Sequence, residues 1–186
     1  MQTHTPQPAA LNRPTLRRSR GLTLIETCTV MAVGCTLLGL AAPNLKTFSE
    51  RRELEAVSAQ MRTNLAHARS LAAAQGLNVQ VQFSGPRCVV TYIGPTTSCQ
   101  CNGSGQALCV APVNVLHVMH QPQGSRVSWQ SNSTHLTLDA AKGTVTPTAT
   151  VRITSQSGLE LRNVVNLMGR VRQCAATAGL AGYPAC

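Results

Sequence analysis

The chain has 186 residues, 43% of them hydrophobic but only 12% charged and 3% aromatic, so it carries enough apolar side chain for one ordinary core built from Val, Leu, Ile and Ala. Sixteen Lys and Arg against six Asp and Glu give a net charge of +10, which favours anionic partners: phosphate backbones, lipid head groups or acidic proteins. Six acids scattered from Glu26 to Glu160 leave almost no room for a paired-carboxylate hydrolase, and eight cysteines argue against a reducing cytosol unless some bind metal.

Residues 1–20 are polar, carry Arg13, Arg17, Arg18 and Arg20, and contain no acid; from Thr27 to Leu45 there is no charge at all. At about 1.5 Å per residue, a helix of that length roughly spans a hydrocarbon layer of about 30 Å. The upstream arginines keep their side cytoplasmic and send the chain after Lys46 across the membrane. A cleaved secretory signal is one alternative, though small-residue cleavage sites are poorly placed; a plain N-terminal anchor is another. Glu26 fits neither, because a carboxylate entering an apolar run costs about 2–3 kcal/mol unless it is paired.

The string Arg17-Arg18-Ser19-Arg20-Gly21, then Leu22-Thr23-Leu24-Ile25-Glu26, resembles the signal of type IV prepilins and type II secretion pseudopilins. The resemblance implies that a prepilin peptidase cuts after Gly21, that Leu22 becomes the methylated first residue, and that Glu26 is the glutamate of filament assembly. Pro43 matches the position at which pilin helices commonly kink, whereas Leu22 stands where the family usually has Phe. The charge arithmetic is consistent with these roles: a free amino group at Leu22 places Glu26 at a spacing of four, and in a filament the partner is a neighbouring subunit's amino terminus. A Glu26 lying unpaired at the head-group level is the bland alternative.

Beyond the apolar run, Phe48, Leu54, Val57, Met61, Leu65, Ala68 and Leu71 recur at three- and four-residue spacing, with Glu50, Arg51, Arg52, Glu53, Glu55, Arg62 and Arg69 on the remaining face. One helix is expected from about Thr23 to a stop at Gly76. Then Leu77, Val79, Val81 and Phe83 alternate with polar residues up to the Gly85-Pro86 turn. Further strands are expected at Cys88–Ile93, Val113–Met119, Arg126–Gln130, Thr134–Leu138, Thr150–Thr154, Leu159–Val165 and Gly169–Cys174, with Gly94–Val110 a loop.

This order gives an α+β chain in four parts: 1–21 a cleaved leader, 22–45 a transmembrane helix, 46–76 its amphipathic continuation into the periplasm, and 77–186 an antiparallel β domain. It is the lollipop shape expected of pilins. Leu65-Ala66-His67-Ala68-Arg69-Ser70, the step from Gln75-Gly76 into the first strand, and Gly169-Arg170-Val171-Arg172 together resemble the GspH/FimT group of minor pilins and pseudopilins. The resemblance implies a subunit of the inner membrane, later of a pilus, whose partners are the prepilin peptidase and other major and minor pilins.

Cys28 and Cys35 lie seven apart on one face of the membrane helix and read as small packing residues. The other six, Cys88, Cys99, Cys101, Cys109, Cys174 and Cys186, read as disulfides whose connectivity sequence alone leaves open. Cys174–Cys186 is favoured because it staples the Gly/Ala-rich tail to the last strand; Cys88 with Cys109 or Cys99, and Cys101 with the cysteine left over, is the expectation for the rest. A zinc site on Cys99, Cys101, Cys109 and a histidine is disfavoured by the one-residue spacing of Cys99-Gln100-Cys101. His117 and His120 would face opposite sides of a strand. No catalytic triad, phosphate loop or HExxH string occurs, so neither a cofactor nor an enzymatic role is expected.

After Gly76 there are Arg87, Arg126, Lys142, Arg152, Arg162, Arg170 and Arg172 against Asp139 and Glu160, a net +5. Arg170 and Arg172 alternate in a strand, so both point to one face about 7 Å apart, near the spacing of successive phosphates. Members of the pilin group that serve natural transformation bind DNA through such a GRxR tail. The resemblance therefore implies phosphate contacts at Arg170 and Arg172, helped by Arg162 and Arg152. The competing readings are a solvated basic edge that discourages strand-on-strand aggregation, in a structural or priming subunit of a pilus or type II secretion pseudopilus, and, more remotely, a metal-binding periplasmic protein.

Overall fold

The structure, a computed structural model, describes residues 23–178 and 180–186, with the backbone alone for residues 40–44. Among these, helix α1 runs Leu24–Gln75 and is followed by β1 Val79–Ser84, β2 Cys88–Ile93, β3 Cys99–Cys101, β4 Ala107–Cys109, β5 Asn114–His120, β6 Val127–Ser131, β7 His135–Leu138, β8 Val145–Thr146, β9 Ala149–Ser155, β10 Glu160–Val165 and β11 Val171–Ala175. The chain divides into two compact units, Met1–Ala42 and Pro43–Cys186.

In the first unit, Thr23 caps the helix: the Glu26 N–H reaches its Oγ1 at 3.3 Å and its carbonyl at 3.1 Å. Leu24, Ile25, Val30, Met31, Val33, Leu37 and Leu38 are exposed, so the segment is apolar all round. Its hydroxyls turn inward; Thr27, Thr29 and Thr36 donate to the carbonyls of Leu24, Glu26 and Val33. Among the described residues no helix is long and apolar enough to cross a membrane. The expected span of 22–45 also takes in Leu22 and the side chains of 40–44, which lie outside those residues. Gly21 lies outside them as well, and α1 is continuous through Pro43.

In the second unit, strand order β5-β2-β1-β7-β8 forms one sheet and β11-β10-β9-β6 the other, every ladder antiparallel. Leu54, Val57, Met61, Leu65, Ala68 and Ala72 of α1 bury against the inward residues of both sheets, among them Val81, Trp129, Ile153 and Leu161. Gly76, at φ +65°, closes the helix where a left-handed residue is needed, and its N–H reaches the Ala72 carbonyl. Two helix residues depart from expectation. Phe48 is exposed, lying under the Arg52 guanidinium at 5.0 Å, and Glu50 is buried, with no hydrogen-bond partner for Oε2 among the described residues.

The stretch Gly94–Val110, expected as a loop, contains the β3–β4 hairpin, and β8 was not anticipated. The hairpin covers the outer side of β1 and β2, where Cys88, Val90, Tyr92 and Cys99 make a second small core. This explains why Gln80 and Gln82, read as the wet face of a half-exposed strand, are buried. Gln80 accepts from the Thr137 hydroxyl at 2.7 Å, and Gln82 from the Cys99 N–H at 2.8 Å. The disulfides are Cys88–Cys101, Cys99–Cys109 and Cys174–Cys186. The third is the favoured pair; the other two match neither expected arrangement. Cys99 and Cys109 are directly opposed across the hairpin with Cα atoms 4.0 Å apart, which leaves Cys101 to reach Cys88 on the sheet beneath.

Candidate nucleic-acid interface

The outer face of the β11-β10-β9-β6 sheet is set by strict alternation. In β9 and β10, Val151, Ile153, Leu161, Asn163 and Val165 point inward and are buried, so Arg152 and Arg162 must point out. The register places Gln130 opposite Arg152, Arg152 opposite Arg162, and Arg162 opposite Cys174, one row across four strands. Arg172 stands opposite Val164 and therefore on the same outer face, diagonal to Arg162. Three of the four arginines singled out in the sequence thus share one surface. Arg170 precedes β11 in the turn from Asn166, whose Oδ1 accepts the Arg170 N–H at 2.9 Å.

Directly opposed like charges on a sheet repel. Glu160 relieves this at one point, its Oε1 2.6 Å from Arg162 Nε, while Arg152, Arg170 and Arg172 have no acid beside them among the described residues. The strand that carries Arg172 is braced from its free edge. The Ala175 N–H reaches the Pro184 carbonyl at 2.8 Å, the Cys186 N–H reaches the Ala175 carbonyl at 3.1 Å, and Cys174–Cys186 closes the loop, with Leu180 buried beneath. The inner side is locked by a polar network around Ser58 and Asn163, neither of which has any exposure. Ser58 Oγ donates to Asn163 Oδ1 at 3.0 Å, Asn163 Nδ2 donates to the Ser58 carbonyl at 3.0 Å, and Gln173 Nε2 donates to Ser58 Oγ at 2.8 Å.

The sequence pattern places the helix arginines only on the face left by the apolar stripe. The structure instead sets three of them along the β11 side of the domain. Arg51 Nη2 donates to the Ala181 carbonyl at 2.9 Å and Arg62 Nη1 to Gln173 Oε1 at 3.1 Å, while the Arg69 stem crosses so close to Gly169 that a Cβ there would meet its Cδ at 2.9 Å. The spacing 51, 62, 69 was the signal that could have found them.

Glu26 and the two helix cysteines, Cys28 and Cys35, are exposed. His117 and His120 lie in β5 opposite Thr91 and Cys88, and no group of three or more metal-ligating side chains occurs among the described residues. With Cys99, Cys101 and Cys109 all oxidised, the zinc alternative loses its thiolates. Burial beside the Tyr92 hydroxyl, 2.8 Å from Nε2, holds the His135 pKa below the ordinary 6.5.

Residues 58–169 match the family described as type II transport protein GspH. Two crystal structures of the type IV minor pilin FimU from Pseudomonas aeruginosa PAO1 are similar, at 21% and 18% identity. The first covers 67% of this chain and 90% of that chain with a TM-score of 0.49; the second covers 64% and 90% with a TM-score of 0.48. Comparison with curated proteins returns no match.

Proposed function

The chain belongs to the type II transport protein GspH family, and on that premise we propose that it is a minor pilin, anchored in the inner membrane, assembled into a pilus, and a non-specific receptor for DNA during uptake. Peptidase cleavage after Gly21, methylation of Leu22 and a register contact of Glu26 with a neighbour's amino terminus are parts of this reading, as is a kink at Pro43. The exposed apolar surface of 24–39 supports it, since such a surface calls for lipid or other helices around it.

The observation that carries the DNA reading is Arg152 directly opposite Arg162 with Arg172 diagonal to it on one sheet face, beside Arg170, with Glu160 the single acid in contact among the described residues. Guanidiniums on a rigid sheet bind phosphates by charge and geometry, without base readout. Tyr92 and Trp129 are buried, which removes them as stacking platforms. The test is a titration of the full-length chain in non-ionic detergent with fluorescent duplex over a salt series, beside Arg170→Ala/Arg172→Ala. Loss of two phosphate contacts flattens the logarithmic salt slope by about 2. Absent binding at low salt, or binding indifferent to the substitution, selects the structural or priming subunit, whose basic face contacts other pilins.

A further inference from the structure

We infer that the DNA surface does not stop at the sheet but continues round the β11 edge onto α1, where Arg51, Arg52, Arg62 and Arg69 form a second line of phosphate contacts. This rests on the DNA reading above and adds a set of residues, on another element, that it does not include.

Eleven residues separate Arg51 from Arg62 and seven separate Arg62 from Arg69, so the three fall within about 20° of one line along the helix. That line runs beside β11 and its tail throughout. Arg51 is tied to Ala181, Arg62 to Gln173 within β11, and Arg69 lies over Gly169, the residue next to Arg170. From Arg51 to Arg69 the helix rises about 27 Å, close to the length of eight base pairs. An open groove between helix and tail is lined by Arg51, Arg52, Glu55, Arg62 and Tyr183.

Two features distinguish this line from an ordinary wet helix face. Its side chains are positioned rather than free to sweep: Arg51 and Arg62 hydrogen-bond to the far side of the groove, and the Arg69 stem crosses close over Gly169, beside a small cavity that it shares with Asp139. The groove also holds one acid, Glu55, 2.8 Å from Arg51 and 3.7 Å from Arg52, against three arginines. The surplus of cations along a track matching duplex length fits a polyphosphate backbone better than a compact anion. The β11 edge then lies between two groups of arginines, Arg172 with Arg170 in the turn before it, and Arg62 and Arg69 on the helix.

The experiment uses the full-length chain in non-ionic detergent, the same fluorescent duplex and the same salt series, with Arg62→Gln/Arg69→Gln, which keeps the stems and removes the charges. The expected result is a slope flattened by about 2, as for the sheet pair. Glu55→Gln removes the competing carboxylate and is expected to tighten binding and steepen the slope, a gain that misfolding does not produce. A wild type that binds through Arg170 and Arg172, with both helix variants indistinguishable from it, overturns the second line and leaves the sheet face standing. A wild type that does not bind overturns both. A helix variant that loses pilus assembly while keeping its salt slope also overturns it and assigns the arginines to subunit packing.

Discussion

Asn163 has no exposure, lies in the middle of β10, and spends its amide on Ser58 of the helix. Replacing it with Ala leaves the Ser58 hydroxyl without its acceptor and the Ser58 carbonyl without the amide donor inside the fold, at a cost of about 1–3 kcal/mol. Urea denaturation checks this, and an unchanged midpoint would mean that water replaces the amide. Gly169 is held at φ +69°, and a Cβ there would stand 2.9 Å from Arg69 Cδ and 3.0 Å from Val145 Cγ2. Gly169→Ala is expected to lose about 1–2 kcal/mol from the backbone alone, and to displace Arg69. His135 predicts a pH effect of definite sign. Its pKa is lowered on folding, so below 6.5 the unfolded chain takes up a proton that the folded one resists. Stability is full above 6.5 and falls as the pH drops from there towards the lower folded value; in His135→Gln the part of the decline due to this residue disappears. Sequence spacing hinted at none of these three, because each depends on what another element brings to the residue.

Elements with a strong local period were legible. The helix stripe and the alternation in β9 and β10 give the burial pattern directly, and the boundaries of these elements and of β1 were met within about two residues, whereas β1 is buried on both faces. The β3–β4 hairpin was not legible: its strands are three residues each, in a stretch of Gly, Ser, Thr and Cys without a period, and it is pinned by two disulfides rather than by an apolar face. The tail is a similar case. Cys174→Ser/Cys186→Ser opens a loop of separation 12, and is expected to cost about 3 kcal/mol in the chain-entropy account. The consequence at this scale is local: residues 176–186, with buried Leu180, become open to limited proteolysis while the core strands stay protected. Equal cleavage of both proteins would show that the ladder to Pro184 and Ala185 holds the tail without the bond.

For the whole molecule, the assembly reading predicts that Glu26→Ala leaves the fold and its disulfides intact but abolishes incorporation into filaments, checked by shearing pili from cells and probing for the subunit. Gly21→Ala is expected to retain the leader, adding its mass to the chain; equal masses for mutant and wild type would dismiss the prepilin signal. Both rest on the linear string Arg17–Glu26, since a peptidase and an apolar layer read the chain locally. The same is true of the apolar run, the amphipathic stripe and the alternating strands: each is a pattern over adjacent residues, and neighbouring residues impose it. Which arginines share a surface, which cysteines meet, and why Gln80, Gln82 and Asn163 are buried were decided by the tertiary structure alone. Those facts depend on strand register and on contacts between residues far apart in the chain, such as Arg62 with Gln173 and Ser58 with Asn163, and no local period encodes which distant partner a side chain will face.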